Sequence, residues 1–259
     1  MTDPLIVDVY PGDGHKDWRA LAAAGPPGHG VLLKATQGTY YHDATWFGAN
    51  WRELREAGGA RYGVDWFRGA YHYLDVRLGG TPQARYFLDS IERAGGWDHG
   101  DLWPMVDIER AGQRADTDAA RVVDCVEAFT QLVTRETKRD VLLYGGSWLA
   151  ELGIRSRMGA RWLAVARYTP TLPPLTVTRI GWDLANLALW QYCGDGQAAL
   201  AGYPREAPGC GRVDISALVL PGGIEALRKQ LPAENAPPPL LIGAHREPGP
   251  AAINNPEPA

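Results

Sequence analysis

Two acidic residues stand two positions apart in Trp103–Glu109, a segment that is otherwise mostly apolar. Because side chains alternate along a strand, Asp107 and Glu109 would share one face, while Val106 and Ile108 would share the other. The two carboxyl groups would then lie about 6–7 Å apart at their Cβ atoms. Ionising both at that distance is unfavourable, so one of them can keep a proton near neutral pH. Such a pair suits the cleavage of a glycosidic bond, which needs one proton donor and one negative charge.

An acid pair on one strand is by itself a weak signal, because many strands end in acids that only cap the next helix. Two further acids strengthen the case. Asp8 stands late in the first apolar run, and Asp214 stands in the last. The first and last strands of a closed barrel are neighbours, so four carboxylates would meet at one mouth. Since buried carboxylates are costly unless they are paired or used, the sequence predicts an active site built from Asp8, Asp107, Glu109 and Asp214.

A lysine also stands inside an apolar strand. Lys34 lies in the run Val31–Thr36, and it is one of only four lysines in the chain. A structural salt bridge and a contact with a substrate both remain open for it. In either role we expect its partner to be one of the four carboxylates.

Aromatic side chains are expected to line the same mouth, because flat rings stack on the apolar C–H surfaces of sugars. The residues concerned are Tyr71, Tyr73, Tyr144, Trp190 and Tyr192. A plain role in the apolar core is the alternative for each of them. His72, which stands between two tyrosines, is more typical of a hydrogen-bonded structural histidine than of a catalytic base.

Short β-rich runs alternate with longer amphipathic stretches along the chain. This alternation is typical of parallel strands joined by right-handed crossovers. The predicted strands are Leu5–Tyr10, Gly30–Thr36, Phe67–Leu74, Trp103–Glu109, Val141–Tyr144, Arg161–Tyr168, Leu187–Tyr192 and Arg212–Ile215. The clearest helix is Thr117–Glu136, with Asp116 or Thr117 placed to cap it. The fold class is therefore predicted to be α/β, a closed β/α barrel of eight mostly parallel strands with few helices near the last ones. A doubly wound open sheet is the alternative.

Composition and charge exclude several functions. The formal net charge is -4, so no basic field is available for nucleic acid. No apolar run is long enough for a transmembrane helix, and no signal peptide is visible, so synthesis in the cytoplasm without membrane insertion is expected. The six histidines lack metal-binding spacing, and no phosphate-binding glycine-rich loop occurs. We therefore expect neither a metal nor a cofactor.

The three cysteines, Cys125, Cys193 and Cys210, do not form a disulfide framework of the small secreted kind. Cys193 and Cys210 flank the last connection between strands, so they could pair or remain free. From residue 232 to the end, eight prolines and little periodicity predict a flexible tail. The predicted domains are a catalytic barrel at 1–231 and a proline-rich tail at 232–259.

Taken in order, these segments resemble glycoside hydrolase family 25, the lysozymes that cut peptidoglycan at N-acetylmuramic acid. The resemblance is carried by Asp8-Val9 with Asp13-Gly14, Lys34-Ala35-Thr36-Gln37-Gly38, Gly69-Ala70-Tyr71-His72-Tyr73, Asp107-Ile108-Glu109, Leu143-Tyr144, Trp190-Gln191-Tyr192 and Val213-Asp214-Ile215. Each motif is short, but their order and spacing together are specific. They cover most of the chain, from about residue 6 to residue 218.

The resemblance implies an irregular, flattened β/α barrel whose last strands lack full helices. It also implies that Glu109 is the general acid and that Asp107 orients the acetamido group of the substrate or stabilises charge. Asp8 and Asp214 match the two remaining acidic positions of the family. The implied activity is that of an N-acetylmuramidase acting on peptidoglycan, with net retention through participation of the acetamido group. We expect the chain to be a monomer.

Two other functions remain open, a non-catalytic peptidoglycan-binding module and a chitinase-like glycosidase. Delivery to the cell wall is expected through phage lysis or a secretion machine. The sequence departs from the family at Gln37, where glutamate is usual, and at Asp13, where glutamine is usual. Residues 60–66 look like an insertion before the third strand, which is expected to reshape one wall of the substrate groove.

Overall fold

Eight strands form one closed barrel, in which each strand lies beside its neighbours in the chain. The computed structural model describes residues 4–24, 27–110, 113, 116–172, 174–194 and 203–231. The strands are β1 (Leu5–Val9), β2 (His29–Gln37), β3 (Trp66–Tyr73), β4 (Met105–Asp107), β5 (Leu142–Gly145), β6 (Trp162–Ala166), β7 (Leu187–Cys193) and β8 (Asp214–Leu218). The predicted barrel is confirmed, and the open-sheet alternative is wrong. The predicted tail at 232–259 lies outside the described residues.

The direction of the last strand decides where its acid lies. Strands β1 to β7 run parallel to one another, whereas β8 runs antiparallel to both β1 and β7. The start of β8 therefore lies at the barrel end where the other strands finish. Asp214 is the first residue of β8, and the strand continues to Leu218 rather than ending at Ile215 as predicted. Asp214 thus stands directly opposite Asp8 on β1.

The helices that follow β2, β3 and β4 are long, whereas those that follow β1 and the later strands are short. They are α1 (Trp18–Ala23), α2 (Ala44–Gly58), α3 (Gly80–Arg93), α4 (Ala119–Thr137), α5 (Ser147–Glu151), α6 (Pro174–Arg179) and α7 (Gly223–Gln230). The helix predicted at Thr117–Glu136 is α4, but its N-cap is Asp118, which accepts a hydrogen bond from the backbone N–H of Arg121. Among the described residues, no helix combines the length and apolar character needed to cross a membrane.

Apolar side chains fill two layers, one inside the barrel and one between the sheet and the helices. Alternation along each strand decides which layer a side chain joins. On β4, Met105 packs inside the barrel, whereas Val106 packs against the helices, as does Ile108 just after the strand. The three cysteines are buried and free, so the possible pairing of Cys193 with Cys210 is not formed.

A buried ion pair between Arg68 and Asp101 holds the amino-terminal half of β3 in place. The Nε of Arg68 lies 2.8 Å from Oδ1 of Asp101, and both side chains are buried. The guanidinium group also lies over the ring of Trp51, 3.9 Å from its centroid.

We expect Arg68→Met to lower the free energy of unfolding by about 3–5 kcal/mol, because the Asp101 carboxylate would stay buried without its guanidinium partner. Urea denaturation measures the change, and Arg52→Met at an exposed position of α2 is the matched control. Equal urea midpoints for the two variants would show that the pair does not stabilise the fold in this way.

Candidate active site

A pocket of about 170 Å³ opens at the barrel end where β1 to β7 finish. Its wall is mostly acidic and aromatic, and consists of Asp8, Tyr10, Lys34, Tyr71, Tyr73, Met105, Asp107, Glu109, Tyr144 and Asp214. The structure therefore brings together all four of the carboxylates that the sequence singles out. Tyr10 and Met105 are lining residues that the sequence analysis did not assign to the site.

The central acid pair is held by β4 and the residues that follow it. Asp107 ends β4 and is buried, while Glu109 follows two residues later and is half-buried. The backbone N–H of Leu74 donates to the carbonyl of Asp107 at 2.9 Å, and the N–H of Ile108 donates to the carbonyl of Tyr144 at 3.1 Å. Because Ile108 packs outward, the two carboxyl groups on either side of it face the pocket.

Burial and mutual repulsion favour the protonated forms of these acids. Burial raises the pKa of Glu109, although a hydrogen bond with Tyr144 opposes the shift. Burial and then the charge of Glu109 raise the pKa of Asp107 well above its usual value. Burial and then the charge of Asp214 do the same for the pKa of Asp8. The carboxyl groups titrate as a set, so the pocket retains a proton at pH values where an isolated carboxyl group is ionised.

Lys34 lies in the pocket wall, but its hydrogen-bond partner is not the predicted one. Its Nζ donates to Oε1 of Gln37 at 2.8 Å rather than to a carboxylate. The strand register shifts just after Lys34, and this irregularity allows two residues three positions apart to meet on one side. Burial lowers the pKa of Lys34, while the charges of Asp107 and Glu109 raise it. The ammonium group therefore offsets part of the negative charge of the pocket.

The five aromatic residues expected at the mouth separate into two groups. Tyr71, Tyr73 and Tyr144 line the pocket. Trp190 and Tyr192 do not, because they are buried in the layer between the sheet and the helices. The expectation that these two rings line the mouth is therefore not met in this pocket. Alternation along β7 turns Gln191, which lies between them, toward the barrel interior.

Gln191 is a buried site residue that the sequence analysis left without a role. Its Nε2 donates to Oδ2 of Asp8 at 3.0 Å and to Oδ2 of Asp214 at 3.2 Å. Its Oε1 accepts from the hydroxyl groups of Tyr144 at 2.7 Å and Tyr168 at 3.2 Å. The amide thus uses two donors and two acceptor positions, which fixes the direction in which it faces. An amide within a strand that is otherwise apolar and aromatic is the sequence signal that could have identified it.

His72 has a structural role, as the sequence analysis favoured. Its Nδ1 lies 2.7 Å from Oγ1 of Thr36, and its Nε2 lies 3.1 Å from Oε1 of Gln83. Burial lowers the pKa of His72 to about 3. The ring therefore stays neutral and links β2 and β3 to α3.

A known family matches most of the chain. Residues 7–200 match the family described as glycosyl hydrolases family 25, and this span includes Asp8, Asp107 and Glu109. The chain belongs to glycosyl hydrolase family 25. In this family 25 chain the barrel continues beyond the matched span to β8, which contributes Asp214.

Solved structures with the same fold correspond to the chain over nearly their whole length. The bacterial lysozyme from Streptomyces coelicolor is 25% identical, with a TM-score of 0.67, and the alignment covers 91% of this chain and 99% of that one. The family 25 lysozyme from Aspergillus fumigatus is 24% identical, with a TM-score of 0.67, and the alignment covers 90% of this chain and 100% of that one. The uncharacterized protein YegX of Escherichia coli K12 is 27% identical over 144 residues. This chain spans about half the length of such curated relatives, 47% in the case of YegX.

The departures from the family pattern have identifiable structural places. Gln37 is neutral, so it binds the ammonium group of Lys34 without cancelling its charge. Asp13 accepts a hydrogen bond from the backbone N–H of Tyr10 at 2.8 Å, in the turn after β1. Residues 60–66 lead into the start of β3, which is the barrel end opposite the pocket. The expectation that they reshape a wall of the groove is therefore wrong.

An Asp8→Asn substitution is expected to stabilise this family 25 chain at neutral pH. The pKa of Asp8 is raised in the folded state, so the folded chain binds more protons than the unfolded one. Stability then falls as the pH rises from the ordinary carboxyl pKa to the raised one. Asparagine carries no charge and still offers an oxygen to Gln191.

Thermal unfolding followed by circular dichroism measures this effect. We expect a higher Tm for the variant at pH 7, by about 2–4 °C for each kcal/mol gained. The difference should shrink toward zero near about pH 4, where the folded wild type holds the proton. Asp89→Asn, at an exposed position of α3, is the control. A gain in Tm that is the same at both pH values would contradict the explanation.

Proposed function

We propose that the chain is a lysozyme-type peptidoglycan hydrolase, an N-acetylmuramidase that cleaves the β-1,4 bond between N-acetylmuramic acid and N-acetylglucosamine. The observation that carries the proposal is the convergence of Asp8, Asp107, Glu109 and Asp214 on one pocket. Membership of family 25 supports it. So does the 25% identity with the Streptomyces coelicolor lysozyme over nearly the whole of that chain.

Glu109 is assigned the role of general acid. It lies in the pocket wall, half-buried, and burial raises the pKa of its carboxyl group. A carboxyl group in this state can protonate the leaving oxygen as the glycosidic bond breaks. Negative charge on the other acids stabilises the positive charge that develops at the anomeric carbon.

Asp107 is assigned to the acetamido group of the sugar. Its Oδ1 is buried and has no hydrogen-bond partner among the described residues. A buried acceptor without a donor costs about 1–3 kcal/mol, and an N–H of the substrate would remove that cost. Held in this way, the acetamido oxygen could attack the anomeric carbon, and water would then open the cyclic intermediate. The expected outcome is net retention, which NMR of the first-formed anomer measures.

Purified peptidoglycan and chitin are the substrates that test the proposal. The wild-type chain should lower the turbidity of peptidoglycan and release fragments with N-acetylmuramic acid at the reducing end. Reducing ends of N-acetylglucosamine, or faster release of soluble sugar from chitin, would instead support a chitinase-like activity. Binding to peptidoglycan without new reducing ends would support a non-catalytic binding module.

We also propose that the chain acts as a monomer on the cell wall after phage-type lysis or export by a secretion machine. The reason for this place of action lies in the substrate, because peptidoglycan is found outside the cell membrane. Analytical ultracentrifugation should give the mass of one chain. Cell fractionation should place the chain outside the membrane only when lysis or a secretion machine is active, and signal-dependent export would contradict this route.

A further inference from the structure

A second and larger cavity, of about 400 Å³, has a strongly basic wall. Arg155, Arg167 and Arg179 line it, together with the hydroxyl-bearing residues Ser147 and Thr176. The three arginines are exposed, and none of their guanidinium groups forms an ion pair or hydrogen bond with another described residue. This concentration of positive charge contrasts with the net charge of -4 on the whole chain.

The one acid in this wall does not neutralise the arginines. Oε2 of Glu151 lies 3.4 Å from a guanidinium nitrogen of Arg110. Arg110 belongs to the segment after β4 and does not line the cavity. The three lining guanidinium groups therefore remain available to a ligand. Guanidinium groups bind carboxylate and phosphate oxygens in pairs, so the cavity suits an anion with several oxygens.

Part of the cavity wall lies at the same barrel end as the catalytic pocket. Ser147 begins α5 two residues after β5, and Arg167 directly follows β6. The carbonyl of Arg167 accepts from Nε1 of Trp190 at 2.8 Å, and its N–H donates to the carbonyl of Gln191 at 3.0 Å. The next residue, Tyr168, donates to the side chain of Gln191. The main chain at Arg167 is thus fixed directly beside the amide that binds two of the pocket carboxylates.

We propose that this cavity binds carboxylates of the peptide branch that peptidoglycan carries on its muramic acid residues. The inference rests on the proposed function, since it concerns the substrate of that site. The branch begins at the lactyl group of the sugar, so a sugar bound at Glu109 would carry its peptide over the rim of the pocket. Arg167, which follows β6 at that barrel end, and the other two arginines of the same cavity wall would hold the free carboxylates and favour glycan strands that still bear peptides. Phosphate groups of other wall polymers share this anionic chemistry, and the test separates the two sources.

Binding measurements test the inference without depending on turnover. Isothermal titration calorimetry in a Glu109→Gln background compares soluble glycan strands that carry peptides with the same strands after an amidase has removed them. Both are prepared from walls freed of phosphate polymers. Adding Arg155→Gln and Arg179→Gln together should weaken binding of the peptide-bearing strands about 10-fold and leave the stripped strands unchanged. Arg85→Gln with Arg93→Gln, at exposed positions of α3, is the matched control and should change neither.

Several results would overturn the inference. An equal loss of affinity for peptide-bearing and stripped strands would mean that the arginines act on the glycan or on the fold. Unchanged affinity for both would mean that the arginines do not bind the substrate. A loss that appears only when phosphate polymers are retained would assign the cavity to phosphate. The preference of the parent protein for peptide-bearing strands should also weaken above ~0.15 M salt, where exposed charges are screened within about 8 Å. Hydrolysis by the wild type is measured separately, so a failure of the proposed function is recognised independently.

Discussion

A Glu109→Gln variant is expected to hydrolyse peptidoglycan at least ~100-fold more slowly than the wild type, because it loses general-acid catalysis. Glutamine preserves the shape of the side chain but has no proton to give to the leaving oxygen. Burial raises the pKa of Glu109, so the wild-type group can hold that proton in a pocket shared with three other acids. Turbidity loss and counting of new reducing ends measure the rate.

The leaving group of the substrate distinguishes loss of the acid from general damage to the site. An aryl glycoside with an acidic leaving group needs little protonation, so Glu109→Gln should lose much less activity on it than on peptidoglycan. Asp107→Asn should lose similar activity on both substrates, because its proposed role does not involve the leaving oxygen. Glu53→Gln, at an exposed position of α2, is the control and should behave as the wild type. Equal losses of Glu109→Gln on both substrates would contradict the assignment of Glu109 as the acid.

The barrel and its acids could be predicted because two strong regularities determine them. Apolar runs at strand spacing indicate the strands, and alternation of two residues places Asp107 and Glu109 on the face opposite Val106 and Ile108. The closure of the barrel then brings the first and last strands together. The antiparallel direction of β8 was not visible in the sequence, since a strand pattern has no direction. It matters here because it puts Asp214 at the start of its strand and still at the mouth.

The remaining errors come from contacts that depend on register and on neighbouring chain segments. Trp190 and Tyr192 are two of the rings expected at the mouth, yet the register of β7 turns them outward. The same register turns Gln191 inward, where it meets residues from four other strands or strand ends. Lys34 binds Gln37 because of an irregularity in β2 that no periodic pattern indicates. Periodicity gives the face of a side chain, but the specific partner depends on the packed structure.

Substitution of Gln191 by methionine is expected to narrow the pH range of activity from both sides. The hydrogen bond from Gln191 lowers the pKa of Asp8, so its loss moves the acid limb of kcat/KM to higher pH. Loss of the amide oxygen also removes a competing acceptor of the Tyr144 hydroxyl, so the existing hydrogen bond between Tyr144 and Glu109 strengthens. The pKa of Glu109 then falls further, and the basic limb moves to lower pH. The maximum of kcat/KM should fall by about 10–100-fold, as expected when buried polar groups lose a partner at a cost of roughly 1–3 kcal/mol.

Gln191→Glu separates the hydrogen bonds that the amide donates from those that it accepts. A carboxylate still accepts from Tyr144 and Tyr168, but it offers no donor and adds negative charge beside Asp8. Both limbs of the pH profile should therefore move to higher pH, because added negative charge raises the pKa of neighbouring acids. Gln131→Met, at an exposed position of α4, is the control, and thermal unfolding verifies that each variant is folded. A positioning role through Asp8 and Tyr144 requires the two limbs to move in opposite directions in Gln191→Met and in the same direction in Gln191→Glu. If both variants lowered kcat without moving either limb, the amide would serve packing alone.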